Sequence, residues 1–595
     1  MVALERYLTL YNRFAGELGA GATAEASLEQ VAEALFCTER NAKLVLRKLT
    51  EEGLIDWRAG RGRGNRSHIT FREDREKLLL DLSRQYAEDG EYNKAFHLLQ
   101  TFGDGTAANE KFMDWMSGSF GFRKQPGKEA DVLRLPIFKT VMTLDPADFV
   151  YSLCSHMIQQ IFDRLVLLEQ STGQIKAGIA HYWEHNEDAT VWTFHLRKGI
   201  LFHGGQELTA GDVVFTAERL RNGGKRNSWI MRSLRTVEAV SERIVRFHLV
   251  RPNWLFLKYA SSNVMAILPA GLMGQSEEQF WKKPSGTGPF QVEEWKDGKL
   301  LLGANPHYYQ SRAHLDQVEI VHVPQAEAVR AGMINWQQLI CDPTLRDVTA
   351  ENGWIQIESK SLCTSLLSWN MQRVGPQHSD EFRRITNRLI DRSAMIRELS
   401  GYRDFPAKGF FPELMAVDDP AEDCLEPEEA RRLLLEAGYD GAPLFLCAHP
   451  GHAEDVYWIQ ERLRRAGIQA EVRIEAPYTI HEVLHEVDLL FHALVFPEEE
   501  VSLIEGCEQE GSYLKELMSP ELSRWTMESF DRALASEDPS IRKAIYTAVE
   551  ERLKEEQQVY FLLHMKFHTD YHPSLKGVRI NSLGWIDFKD IFRTS

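Results

Sequence analysis

The sequence predicts a multidomain chain in which a small α+β winged helix-turn-helix precedes a large α/β body. Three observations predict it. Basic residues concentrate between Arg40 and Arg72 of an otherwise acidic chain. The first 72 residues give the order helix, helix, turn, helix, hairpin. From Val132 onward short strands alternate with helices, with no internal repeat and no low-complexity segment.

At the N-terminus Leu4, Leu8, Tyr11, Phe14 and Leu18 recur at helical spacing, so residues 3–18 read as an amphipathic helix. Ser27 is placed to cap a second helix, with Gln30 at the reciprocal capping-box position and Val31 and Leu35 facing inward. Phe36 and Cys37 form a turn, and Thr38 caps a third helix. On that helix Ala42, Val45, Leu46 and Leu49 form the apolar stripe, and Gly53 closes it. Two extended runs, 54–58 and 67–71, flank the glycine-rich basic stretch 60–66, which reads as a hairpin with a cationic tip. These elements make a winged helix-turn-helix over residues 1–72. Its third helix is expected to enter a major groove, while wing glycines let the backbone approach the duplex.

Charge supports double-stranded DNA as the partner. The chain has 595 residues, 69 Lys+Arg and 87 Asp+Glu, for a net charge of −18. Between Arg40 and Arg72 nine basic residues face three acidic ones, so this stretch carries +6 and the remainder −24. Such asymmetry is the footprint of a polyanion-binding module on an acidic body. The candidate contacts are Thr38, Arg40, Asn41, Lys43, Arg47 and Lys48 on the helix, and Arg58, Arg61, Arg63, Asn65 and Arg66 on the wing. Helix-turn-helix modules often act in pairs, so a homodimer on paired half-sites is compatible with this reading.

Residues 73–129 continue as a helical connector, with Leu78, Leu79, Leu82 and Tyr86 on one segment and Tyr92, Phe96 and Leu99 on the next. Seven widely spaced cysteines without a C-x-x-C pair suit reduced thiols rather than a disulfide or zinc framework. No apolar run approaches the length of a membrane span, and the start shows no basic segment leading into an apolar one. A cytoplasmic location and no membrane partner are therefore expected.

In the body, Pro427 opens and Gly441 closes a helical stretch over 427–441. Residues 444–448, 470–474 and 488–496 read as strands, with a helix at 457–466 between the first two.

Several blocks of this body occur in a characteristic order. They are Leu144-Asp-Pro, Ile161-Phe-Asp-Arg-Leu, the long run from Trp192 to Phe215, Pro284-Ser-Gly-Thr-Gly-Pro-Phe, Asn305-Pro-His-Tyr-Tyr and Glu428-Glu-Ala-Arg-Arg-Leu-Leu-Leu-Glu-Ala-Gly. Together they resemble the family 5 extracellular solute-binding proteins, which include peptide and nickel binders of ABC importers. The stretch from Gly53 to Phe71, with its Gly-Arg-Gly-Arg-Gly-Asn-Arg core, is similar to the DNA-binding domain of SgrR-type regulators. That family fuses a winged helix-turn-helix to a family 5 domain. The resemblance implies a two-lobed, periplasmic-binding-protein-like (type II) domain over 130–595. Lobe 1 would span about 130–345 plus 556–595, and lobe 2 about 346–555.

It also implies a ligand-responsive transcriptional regulator without enzymatic activity or cofactor, whose solute is a short peptide, a sugar or a sugar phosphate. Relatives hold a peptide amine with an acidic residue in a D-Y-x-D-P-like stretch. The matching Phe496-Pro-Glu-Glu-Glu departs from it and offers Glu498 and Glu499. Trp369 and Asn370 fall where relatives line their cleft. The alternative is a transport-associated solute receptor with an N-terminal docking domain.

Two motifs invite a metal reading. His481-Glu-Val-Leu-His485 matches H-E-x-x-H, and His181-Tyr-Trp-Glu-His185 matches its inverted form. In the first, Thr479 and Glu482 form a capping-box pattern that gives Glu482 a structural task. The second falls in an expected loop ahead of the Trp192 strand, where the histidines share no helical face. No metal is expected at either.

Overall fold

The computed structural model describes residues 2–16, 21–60, 66–124, 130–137, 139–169, 172–296, 298–324, 339–340, 355–399, 401–411, 424–477, 479–496 and 499–594. The chain forms two compact units. The first is drawn from Met1–Thr140, Glu293–Gly303 and Leu315–Trp354, the second from Val141–Val292, Ala304–His314 and Ile355–Ser595.

The first unit opens with α1 (Val2–Phe14), β1 (Thr23–Glu25), α2 (Leu28–Ala34), α3 (Glu39–Glu51), β2 (Ile55–Arg58) and β3 (His68–Phe71). The sheet order is β1-β3-β2, all antiparallel, with Trp57 opposite Ile69 and Ala24 opposite Ile69 from the other side. Tyr7, Tyr11 and Phe71 meet at ring distances of 4.9–5.9 Å and pin α1 to the sheet. Three further helices follow: α4 (Arg75–Glu88), α5 (Tyr92–Phe102) and α6 (Ala108–Ser117). They share one continuous apolar core with α1–α3. Two hydroxyls fasten them: Tyr7 donates to the Glu73 carbonyl at 2.6 Å and Tyr86 to the Glu5 carboxylate at 2.6 Å. The segment after the hairpin is thus part of the winged-helix core.

β4 (Gly121–Lys124) and β5 (Asp131–Ile137) then enter a five-stranded sheet in the order Phe290–Lys296, Lys299–Ala304, Gln317–His322, β5, β4. Val321 and Val323 of this sheet region reach into the helical core. The winged-helix module and this sheet region therefore share one packed core.

The second unit is mixed α/β. Four antiparallel strands run in the order Leu234–Ser241, Ile244–Leu249, Val191–Leu196, Ala180–His185. A larger mixed sheet pairs Val559–Tyr571 with Ile355–Trp369, then Leu489–Val495, Leu444–Ala448 and Ala470–Ile474, the last two contacts parallel. Helices Asp380–Arg388, Pro427–Glu436 and Ala453–Arg465 pack their apolar faces on it, around Trp369, Phe382, Leu446 and Phe491. The strands expected at 444–448, 470–474 and 488–496 are all present.

The motif blocks of the body meet one another in this unit. Asp163 is buried and accepts hydrogen bonds from the Thr287 hydroxyl at 3.0 Å and the Tyr308 hydroxyl at 3.0 Å, which joins three blocks at one carboxylate. His203, from a fourth, accepts from Gly286 N at 3.1 Å through Nδ1 and reaches the Gly288 carbonyl at 3.1 Å through Nε2. Gly286 lies so near the Ile161 carbonyl that a Cβ would come within 2.0 Å of it, so no larger residue fits there. Asp145, buried in the Leu144-Asp-Pro block, takes a two-pronged bond from Arg219 at 2.8 and 2.6 Å.

Candidate functional site

The surface that sequence charge singles out is built on α3. Thr38 caps it by accepting from Asn41 N at 3.4 Å. Ser27 and Gln30 close a reciprocal capping box on α2, at 3.1 and 2.9 Å. The buried stripe of α3 is Ala42, Val45, Leu46 and Leu49. Arg40, Lys43 and Arg47 recur three and four residues apart on the opposite, exposed face, with Lys48 beside them. Asn41 is half-buried at the helix start.

The partners of these cations are weak competitors for a polyanion. Arg47 pairs with Glu51 at 3.1 Å and Lys48 with Glu52 at 3.8 Å, all four side chains exposed. Exposed pairs of this kind are worth at most about 1 kcal/mol, so phosphates can displace them. On the hairpin Arg58 is exposed, and Arg66 pairs with Glu25 across the sheet. That bond holds the Glu25 carboxyl below its ordinary range. Arg61, Arg63 and Asn65 lie outside the described residues.

Known proteins resemble both parts. Residues 174–494 match the family described as bacterial extracellular solute-binding proteins, family 5, middle region. Residues 3–119 match the family described as sugar transport-related sRNA regulator, N-terminal. The chain belongs to the family 5 solute-binding proteins and carries the N-terminal domain of SgrR-type regulators. YhjP of Bacillus subtilis (strain 168) is 30% identical over 602 residues, spanning 100% of both chains. The HTH-type transcriptional regulator SgrR of Yersinia enterocolitica is 25% identical over 613 residues, 99% of this chain and 98% of its own. Among solved structures, Helicobacter pylori DppA in complex with the peptide STSA matches with a TM-score of 0.66 at 21% identity, covering 78% of this chain and 98% of that one. Bacillus subtilis AppA in complex with a nonapeptide gives 0.66 at 19%, covering 78% and 99%. These two establish the periplasmic-binding-protein-like fold of the body. The SgrR-type match runs to residue 119, so it includes α4–α6 as well as the winged helix.

Within the family 5 body, two of the residues that sequence offered for a solute, Trp369 and Asn370, have partners inside the protein. Trp369 is fully buried, stacks edge-on with Phe382 at 5.9 Å, and donates its indole N–H to Asn387 at 3.3 Å. Asn370 is buried too; its amide donates to the Leu484 and Val487 carbonyls at 2.9 and 2.8 Å and accepts from Gln372 N at 3.0 Å. Glu498 lies outside the described residues, and Glu499 opens the helix Glu499–Glu508. Glu500, next in the run, is held by Lys258 at 2.6 Å and Arg542 at 2.7 Å.

The metal motifs are dismantled by geometry. His481 lies on a four-residue helix, Ile480–Val483, and bonds Glu516 at 3.0 Å through Nδ1; His485 belongs to the following 3-10 turn, exposed beside Glu486 at 3.5 Å. The expected capping box is absent: the Thr479 hydroxyl donates to the Ala476 carbonyl at 3.0 Å and makes no cap. His181 and His185 stand on a strand, Ala180–His185, not the expected loop. Four residues along a strand set them about 13 Å apart, too far to share an ion. Among the described residues no group of three or more His, Cys, Asp or Glu could hold a metal. No helix among them is long and apolar enough to cross a membrane.

Proposed function

We propose that this protein is a cytoplasmic, DNA-binding transcriptional regulator whose family 5 body binds a small solute and adjusts operator affinity. The observation that carries the proposal is the capped α3 helix, with one face buried by Ala42, Val45, Leu46 and Leu49 and the opposite face presenting Arg40, Lys43 and Arg47. A helix of that form in a winged module fits a major groove, and its cations meet phosphates and base edges. The wing residues Arg58, Arg61, Arg63, Asn65 and Arg66 would follow the backbone alongside, and Thr38 would hold the helix start. No chemical step is needed.

On the solute side, the proposed lobes 130–345 with 556–595, and 346–555, bind a peptide, sugar or sugar phosphate between them. The acidic pair Glu498 and Glu499 suits a cationic group on that solute. Ion pairs join residues of the two proposed lobes, Arg232 with Glu508 at 2.7 and 2.9 Å and Lys258 with Glu500 at 2.6 Å, so a solute that prefers one conformation would act with or against them. A solute changes operator affinity only insofar as it prefers one conformation, and operator and solute then influence each other equally.

The test is the salt dependence of duplex binding by the full chain. Affinity should fall steeply with salt, and Arg47→Ala should reduce the slope of log K against log salt by about one unit. A response insensitive to salt rejects the proposal.

A further inference from the structure

The cationic face of α3 carries one residue that electrostatics does not explain. Leu44 is 55% exposed, on a helix whose apolar stripe lies on the other side. It is four residues after Arg40, three before Arg47 and beside Lys43, so exposed cations surround it. A large aliphatic side chain in that position gains nothing from the free protein's core. The turn before α3 repeats the theme: Phe36 is 96% exposed and held at φ 48°, a left-handed conformation that disfavours a side chain.

A surface with an apolar centre and a cationic rim matches one feature of duplex DNA. Phosphates line the groove edges, and thymine projects a C5-methyl group into the major groove as its only apolar marker. An apolar protein partner would not be favoured by the surrounding positive charges, whereas a polyanion is.

We propose that Leu44 is a specificity-determining residue that contacts a thymine methyl in the operator. This rests on the DNA-binding reading and adds to it a base identity. The contact reads thymine against cytosine and against any base lacking a methyl at that place, while Arg40, Lys43 and Arg47 set position and strength.

The full-length protein is used to enrich duplexes from a random pool, and each thymine of the selected sequence is replaced singly by deoxyuridine, which removes only the methyl. At one position the replacement should weaken binding by about fourfold, the worth of one buried methyl group. Leu44→Ala, checked for an unchanged melting curve, should bind thymine and deoxyuridine duplexes equally at that position. Selected duplexes that show no methyl effect, or one that Leu44→Ala leaves intact, overturn the assignment while DNA binding itself stands. Failure to enrich any duplex removes the DNA-binding reading and this inference with it.

Discussion

The Tyr92 hydroxyl donates to the Glu319 carboxylate at 3.1 Å, joining α5 to the strand Gln317–His322 across 227 residues of sequence. Arg134 of β5 completes the cluster. Its guanidinium bonds the same hydroxyl, lies 3.4 Å from Glu319, and covers the Tyr92 and Phe120 rings at 5.3 and 5.4 Å. Tyr92→Phe would leave Arg134 and Glu319 each one partner short, for a loss of about 1–2 kcal/mol. Arg134→Ala leaves Glu319 in a mostly buried site without its counter-ion and should lose about 3–5 kcal/mol. Urea unfolding of both variants checks the order; equal losses would mean that the ion pair is idle.

Thr38 offers a separable test of α3 as the proposed DNA-contacting helix. Its side chain satisfies Asn41 N, one of the amides an α-helix leaves open at its start. Thr38→Ala should lower stability by about 1 kcal/mol and weaken duplex binding, because the frayed first turn carries Arg40 and Asn41. Thr38→Ser should restore both. Thermal melts and titration of a selected duplex report the two effects independently.

Periodicity brought the N-terminal elements and three strands of the body into view, and the resemblance to family 5 proteins supplied the fold of the rest. Leu444–Ala448 is a compact apolar run, Ala470–Ile474 alternates apolar with charged residues, and the caps of α2 and α3 stand in the sequence as Ser27 and Thr38. What stayed hidden depends on distant partners. β1 is only three residues with a largely exposed pattern, and it becomes a strand because β3 supplies its hydrogen bonds. Trp369 and Asn370 read like cleft residues, but Asn387 and the Leu484 and Val487 carbonyls, brought from elsewhere in the chain, claim their polar atoms. The merger of α4–α6 with the winged helix turns on Tyr7 and Tyr86, whose targets no spacing rule names. Helical spacing already leaves Leu44 off the apolar stripe, and the structure adds how far it is exposed, 55%.

Arg232 and Glu508 form a pair whose loss should loosen the second unit. The Glu508 side chain is 2% exposed, and Arg232 also bonds Asp531. Arg232→Ala strands the buried carboxylate, at a cost of about 3–5 kcal/mol to the arrangement that holds it. Gln509, which donates to the Phe149 carbonyl at 2.9 Å, should release with it. Hydrogen exchange should therefore accelerate in the helix Glu499–Glu508 and around Ser228–Met231, while α1–α6 keep their protection. Unchanged exchange at both segments would show that other contacts suffice.

Acid should weaken the second unit through histidines that the fold keeps neutral. Burial pushes His156 and His492 down to about 3, and His203 and His564 down to about 4, from an ordinary 6.5. Each has a partner suited to the neutral ring; His492 meets the Ser368 hydroxyl at 2.8 Å and His564 the Thr364 hydroxyl at 3.0 Å. With folded values below the unfolded one, unfolding takes up protons below 6.5. Stability is therefore full above that point and is lost as pH falls toward the folded values. At about pH 5 each such histidine should remove about 2 kcal/mol relative to about pH 8. Glu505 works in the opposite sense: burial raises it to about 7, so its protonation adds stability as pH falls from there toward 4.5. Urea unfolding at the two pH values should show a net loss of several kcal/mol at the lower one. His492→Asn should shrink that loss by about 2 kcal/mol, and Glu505→Gln should deepen it by a similar amount. A variant pair that moves the loss in the same direction would contradict the assignment of opposite signs to these two groups.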